Sequence, residues 1–289
     1  ATNWPVLAND LKIKWVDVNP HTCNLDLDDL ESKLSPRTKA IIVVHWGGYP
    51  NDLDRLKQIQ QKSLELYGFA PKIIEDCAHA FGSKYKNAAL GNHGNYVCYS
   101  FQAIKHLTSV DGGALILPDE EEYKRARLLR WYGIDRESNR KDFRCEDDIP
   151  EWGFKFHMND VNAAIGMHNL KHVGDVVQRH KDNAQFYDEN LKDIDGVTVL
   201  ERSPDYESAF WIYTLKVERQ QDFMDKMKEC NIMVSRVHER NDKHSCVNEF
   251  KSDLTNLNQL VKEMICIPVG WWISDAEREY IVECIRSGW

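Results

Sequence analysis

KIIEDCAHA at residues 72–80 and SFQAIKHLTSVDGGALIL at residues 100–117 decide how this chain folds. Each contains a short run of branched apolar residues suited to a buried strand, and each run gives way abruptly to polar residues. Working outward, IKWVD at 13–17, AIIVV at 40–44 and VCYSF at 97–101 have the same character. A helical pattern separates two of these runs at Leu53–Tyr67, with apolar residues at Leu53, Leu56, Ile59, Leu64 and Leu66 and a glycine stop at Gly68. Strand and helix in alternation predict an α/β fold with a mostly parallel central sheet flanked by helices. In such sheets ligands gather beyond the carboxyl ends of the strands, which is where Glu75, Asp76 and Lys105 fall.

The remainder of the chain reads differently. Residues 135–148 (DRESNRKDFRCEDD) carry ten charges in fourteen positions and predict a solvated loop. A long helical pattern then runs from Asn159 to Leu191, softened at Gly166 and Gly174. Strands are expected at Phe210–Val217 and Met264–Ile267, and helices near Gln221–Cys230 and Ser274–Ser287. This gives three expected parts: a large domain over 1–158, a bridging helix over 159–192, and a small α+β domain over 193–289.

Composition narrows the function. The 289 residues are 42% hydrophobic and 29% charged, enough to bury a substantial core, and the net charge of -9 argues against a nucleic-acid partner. No apolar run approaches the roughly 20 residues needed to span a bilayer. The eight cysteines form no CxxC pair and no regular framework, which fits a reducing, cytoplasmic setting without zinc. The Gly-Gly pairs at 47 and 112 lack GxGxxG spacing, so nicotinamide chemistry loses its main signal.

Two constellations carry chemistry. Asp76 at a strand end suits an acid facing a ligand, though taken alone such a residue is more often a helix cap or ion-pair partner. Lys105 lies between two strands, where apolar walls favour the neutral amine, and a neutral amine attacks aldehydes to form imines. Read alone, it is to be presumed a solvated loop lysine. The ordered series is more specific: Asp76, a spacer with Gly91 and Gly94, Ser100, Lys105 five residues later, then Gly112-Gly113. That series resembles the DegT/DnrJ/EryC1/StrS aminotransferases, and Trp15–Val18, Thr38–His45, Gly153–Asp160, Ala163–Gly166 and Ile267-Pro268 extend the likeness over essentially the whole chain.

The resemblance implies a fold type I transferase dependent on pyridoxal 5'-phosphate. Lys105 would form the Schiff base with the cofactor and shuttle a proton. Asp76 would pair with the pyridine nitrogen and keep the ring cationic. Ser100 would donate to the cofactor phosphate, and His79 stands where the family usually has a glutamine beside the phenolic oxygen. Lys155 and His157 occupy a segment that in the family reaches the neighbouring subunit's phosphate, normally with asparagine and arginine, so a homodimer is implied. His45 and Trp46 match a loop near the site. His238 and Arg240 match a loop bordering the sugar. His238 and His244 show no HxxxH or HxH spacing, so no metal is expected there.

The likeness further implies amino transfer from L-glutamate to a nucleotide-linked keto-deoxysugar, for polysaccharide or glycoconjugate synthesis. Retention of Lys105, which related dehydratases replace with histidine, favours transamination. Ala1-Thr2 aligns just after the family's ring-stacking aromatic. A phosphate-binding helix start is therefore expected ahead of residue 1, and a catalytically silent fragment is the alternative reading.

Overall fold

The computed structural model describes residues 1–137 and 148–289, so most of the charged segment at 135–148 lies outside the described residues. The elements in chain order are α1 (Trp4–Ala8), α2 (Leu27–Ser32), β1 (Ala40–Val44), α3 (Leu53–Tyr67), β2 (Lys72–Asp76), β3 (Lys84–Tyr85), β4 (Ala88–Ala89), β5 (Tyr96–Ser100), β6 (Gly113–Ile116) and α4 (Glu120–Leu129). There follow α5 (Asp160–Asn169), α6 (Val173–Leu191), β7 (Val197–Val199), β8 (Tyr206–Glu207), β9 (Tyr213–Val217), α7 (Gln220–Glu229), α8 (Thr255–Glu263), β10 (Met264–Ile267) and α9 (Asp275–Arg286).

The central sheet runs β1-β2-β5-β6. Its first three strands are parallel and β6 is antiparallel to β5, as a mostly parallel α/β sheet requires. Parallel register brings strand ends together: Val44 pairs with Asp76, and Asp76 with Cys98. The polar residues after β1, β2 and β5 therefore open on one edge. Ile41, Val43, Ile73 and Val97 face a core closed by Leu53, Leu56 and Ile59 of α3.

Helix α3 starts where the Asp52 carboxylate accepts the Arg55 N–H and stops at Gly68, which is left-handed at φ 69. Leu64 and Leu66 do not join its core face: both are exposed, and Ser63 is buried in their stead.

A second core joins α6 and α9 to an antiparallel sheet, β10-β9-β7, around Tyr187, Tyr213, Phe223 and Ile265. A small sheet, β4-β3-β8, ties the segment after β2 to the stretch before β9.

Two expectations need correction. Residues 13–17 form no strand. That segment runs beside no partner strand, and Asp17 instead spends its carboxylate on the backbone N–H groups of Asn256 and Leu257 at the start of α8, 2.8 and 2.9 Å away. The helical stretch 159–191 is two helices broken at 170–172, not one. Gly166 is not a break: a Cβ there would stand 3.1 Å from Ser109 Cβ, so the missing side chain lets α5 press against the lysine loop. The turn follows Asn169, whose amide donates to the Thr108 carbonyl at 2.9 Å.

Candidate active site

The lysine loop, 101–112, is closed by two backbone bonds across its neck, Phe101 N–H to Gly112 O at 2.8 Å and Ser109 N–H to Phe101 O at 2.9 Å. Asn162 and Asn169 of α5 bind its Asp111 and Thr108 carbonyls. Val110 lies in the left-handed region at φ 71, a strained setting for a β-branched residue. A loop so tied gives Lys105 a defined position.

Around the Lys105 amine the fold gathers four rings. Its Nζ lies 3.8 Å from the centroid of Trp211. His79 stacks on Trp211 at 3.9 Å, and His238 lies nearly parallel to His79 at 5.3 Å. Trp46 meets both histidines edge-on, at 6.0 and 5.8 Å. Burial lowers the Lys105 amine to about 8, with the Asp76 charge pulling the other way. His79 falls well below its ordinary value, through burial first and then the nearby Lys105, so its ring is neutral. Its Nδ1 is buried and has no hydrogen-bond partner.

Asp76 ends β2 with both oxygens engaged. Thr2 Oγ1 donates to one at 2.7 Å and the Ala78 N–H to the other at 3.0 Å. Ser100 ends β5 opposite Gly113, and its hydroxyl is the nearest acceptor to the Gln102 N–H, at 3.4 Å. Lys105, Asp76, His79, Ser100, Trp46 and His238 thus belong to one edge of the sheet and the loops above it. The loop carrying Trp46 is seated on the His79 segment because residue 48 is glycine at φ 98; a Cβ there would be 2.8 Å from the His79 carbonyl.

Four sequence candidates sit elsewhere. His45 is fully buried: Nε2 lies 2.8 Å from Glu75 Oε2, and Nδ1 accepts the Asn51 N–H at 3.0 Å. Because Nδ1 accepts, Nε2 carries the proton and donates to the carboxylate. His45 is a core residue beneath the site, with no edge free for a substrate. Arg240 makes a two-pronged bond to Asp242, both at 2.6 Å, and a third to Asn258, so its guanidinium is committed within its own loop. Lys155 is exposed and bridges to Trp131, while His157 packs edge-on against Trp131 at 3.8 Å. Neither touches the Lys105 cluster within this chain.

Donor atoms of His45, Glu75 and Cys77 all lie within 4.8 Å of one another. This is not the chemistry of a metal centre. Both His45 nitrogens are spent on protein partners, Asn95 holds the second Glu75 oxygen at 2.7 Å, and burial pushes the Cys77 thiol far up, keeping it protonated.

Sequence reasoning missed Trp211, Thr2 and His106. The first lies in AFWIY, which reads only as the start of a strand. Adjacency to Lys105 was a signal for His106, a buried ring held near 3 by burial and by His180, which it meets edge-on at 4.4 Å.

Do these residues fit pyridoxal phosphate? An amine of lowered proton affinity with a carboxylate near it, an orphaned imidazole nitrogen in the same ring cluster and a hydroxyl at the end of the neighbouring strand make a donor set that suits a pyridinium aldehyde bearing phenolic and phosphate oxygens.

Comparison with known proteins agrees with this arrangement. The family model for the DegT/DnrJ/EryC1/StrS aminotransferase family matches residues 1–286. Among solved structures, the sugar aminotransferase CalS13 from Micromonospora echinospora is 48% identical with a TM-score of 0.96, over 100% of this chain and 78% of that one. AtS13 from Actinomadura melliaura is 50% identical with a TM-score of 0.96, over 100% and 77%. The dTDP-4-amino-4,6-dideoxy-D-glucose transaminase of Shigella dysenteriae is 28% identical over 99% of this chain and 76% of its own length. Lysine loop, carboxylate and matched sequence together place the chain in the DegT/DnrJ/EryC1/StrS aminotransferase family.

Proposed function

We propose that this enzyme uses pyridoxal phosphate to move an amino group from L-glutamate to the ketone of a nucleotide-linked deoxysugar. The observation that carries the reading is the Lys105 amine, lowered to about 8 by burial and set beside Asp76 and the orphaned His79 nitrogen. When bound, the cofactor supplies an electron sink that lets a proton leave the carbon bearing the amino group.

The chain's own residues do the rest. Lys105, whose lowered proton affinity leaves a minor but usable neutral fraction near neutral pH, would attach the aldehyde and then take and return the substrate proton. Asp76 holds a positive ring nitrogen by its charge, while Thr2 and the Ala78 N–H fix its orientation. Neutral His79 accepts or donates one hydrogen bond at Nδ1, according to tautomer, toward a phenolic oxygen. The Ser100 hydroxyl donates to phosphate. Trp46 and His238 flank the approach and suit the apolar faces of a sugar ring. Sugar amination is favoured over other amino transfer by the two relatives of about half identity, one of them titled a sugar aminotransferase.

A homodimer belongs to this proposal. Phe156, Val161 and Met167 are 75%, 69% and 71% exposed, and Leu115 and Ile116 of β6 are exposed too, apolar surface that a second copy would cover. By the family resemblance, Lys155 and His157 would reach the partner's site. No helix among the described residues is long and apolar enough to cross a membrane, and the seven described cysteines are free, which supports a cytoplasmic setting.

The test supplies the chain with pyridoxal phosphate, L-glutamate and a panel of nucleotide-linked keto-deoxysugars, beginning with the dTDP-linked 4-keto-6-deoxy sugar. Expected are 2-oxoglutarate and one amino sugar, both abolished in Lys105→Ala. Formation of 2-oxoglutarate in that variant refutes the assignment.

A further inference from the structure

We propose that Trp211 is the positioning residue for Lys105: its indole face walls the amine from water, and its indole N–H fixes the backbone that carries it. The inference rests on the function proposed above and deepens it.

Three contacts single out this side chain. Its face lies 3.8 Å from Lys105 Nζ. Its Nε1–H donates to the carbonyl of Ile104, the residue before the lysine, at 2.9 Å. The ring also stacks on His79 at 3.9 Å, with His238 beyond at 6.0 Å. The backbone is held as well, since the Trp211 N–H donates to the Gly47 carbonyl at 2.9 Å, in the loop that carries Trp46. One residue of the segment before β9 thus grips the lysine loop, the β2 edge and the β1 edge together. Neither Gln102 nor Ala103, both exposed, offers Lys105 a comparable wall.

Lys105 faces Asp76 on β2, His79 after it, His106 on its own loop and His238 from the second core. Asp76 favours the ammonium form; the three histidines are held neutral by burial and supply no compensating charge. What disfavours the ammonium is therefore loss of water, and the indole is part of that enclosure. A ring face also attracts a cation, which opposes the effect. Burial outweighs the Asp76 charge at this amine, and on this proposal the indole's share of that burial also outweighs its attraction for the cation.

The experiment follows trace acylation of Lys105 by acetic anhydride across pH 6–11 without cofactor, read by peptide mass spectrometry, in wild type, Trp211→Phe and Trp211→Ala. Wild type should show a midpoint near 8. Trp211→Phe, which keeps an aromatic wall, should stay close to it. Trp211→Ala should move toward the ordinary lysine value, roughly 10.4, and cut the neutral fraction at pH 7 by at least about 10-fold. Trp211→Ser, small and polar like the gap alanine leaves, covers the case in which the alanine variant does not fold, with the upward shift again expected. An unchanged or lower midpoint in the variant lacking the ring overturns the proposal. Borohydride capture of pyridoxal phosphate by wild type is run alongside: its failure would count against the function, whereas an unmoved midpoint with capture intact counts against Trp211 alone.

Discussion

Replacing His45 by alanine should destabilise the protein without touching the surface of the site. Glu75 and His45 are both 0% exposed, and the carboxylate has two donors, His45 Nε2–H at 2.8 Å and Asn95 at 2.7 Å. Burial alone would raise the Glu75 carboxyl, yet these hydrogen bonds hold it below its ordinary value. Removing His45 strips one donor from a buried anion and leaves a cavity. A hydrogen bond to a charged group contributes about 1.5–3 kcal/mol, and stripping one partner from a buried pair costs about 3–5 kcal/mol. A loss of about 3 kcal/mol is expected, which for a chain of this size lowers Tm by roughly 6–12 °C. Glu75→Gln should cost less, about 1–3 kcal/mol, because one amide face then meets a donor. The pH dependence has a definite sign. A carboxyl whose folded pKa is depressed contributes stability above its unfolded value near 4.5, and that contribution disappears as pH falls below 4.5 through the folded value. Guanidinium unfolding of wild type, His45→Ala and Glu75→Gln at pH 7 and pH 4 measures all of this. A His45→Ala loss below about 0.5 kcal/mol would refute the account of the pair.

Asp76→Asn should lower turnover about 10- to 150-fold, the worth of a charge-assisted bond of about 1.5–3 kcal/mol, with little change in melting temperature. Steady-state kinetics beside calorimetry separates the two effects. Leu56→Ala, at a fully buried position of α3, should cost about 2–5 kcal/mol in chemical denaturation. Phe156→Asp should shift sedimentation from dimer to monomer while circular dichroism stays unchanged; a dimer that persists would move the interface elsewhere. Capture of pyridoxal phosphate by Lys105 should rise with pH with a midpoint near 8, against about 10.4 for an ordinary lysine.

What could be read in advance divides along physical lines. The strand at 40–44 and the one at 72–76, read as 72–75, were legible because branched apolar residues cluster there, Ile41, Val43 and Ile73 being buried. Helix α3 was legible because its apolar spacing begins at Leu53 and Gly68 is a chemical stop sign; the Asp52 cap emerged only in the structure. Residues 13–17 misled because an extended apolar segment becomes a strand only where a partner lies alongside, and pairing is not local information. Gly166 misled in the same way: the neighbour that explains it, Ser109, is remote in sequence. Of the site, the residues in the order Asp76, Ser100, Lys105 were recoverable, since they ride on consecutive sheet edges. Trp211 was not, because only the second core brings it to the amine. Nor could spacing reveal that His45 faces inward to Glu75 or that Arg240 is bound to Asp242.

The central claim is that Lys105 is the residue through which the cofactor acts. Incubating the chain with pyridoxal phosphate, reducing with borohydride and mapping the peptides by mass spectrometry tests it most directly. The account predicts one phosphopyridoxyl group, on Lys105, lost in Lys105→Ala; modification of a different lysine with Lys105 untouched would contradict it.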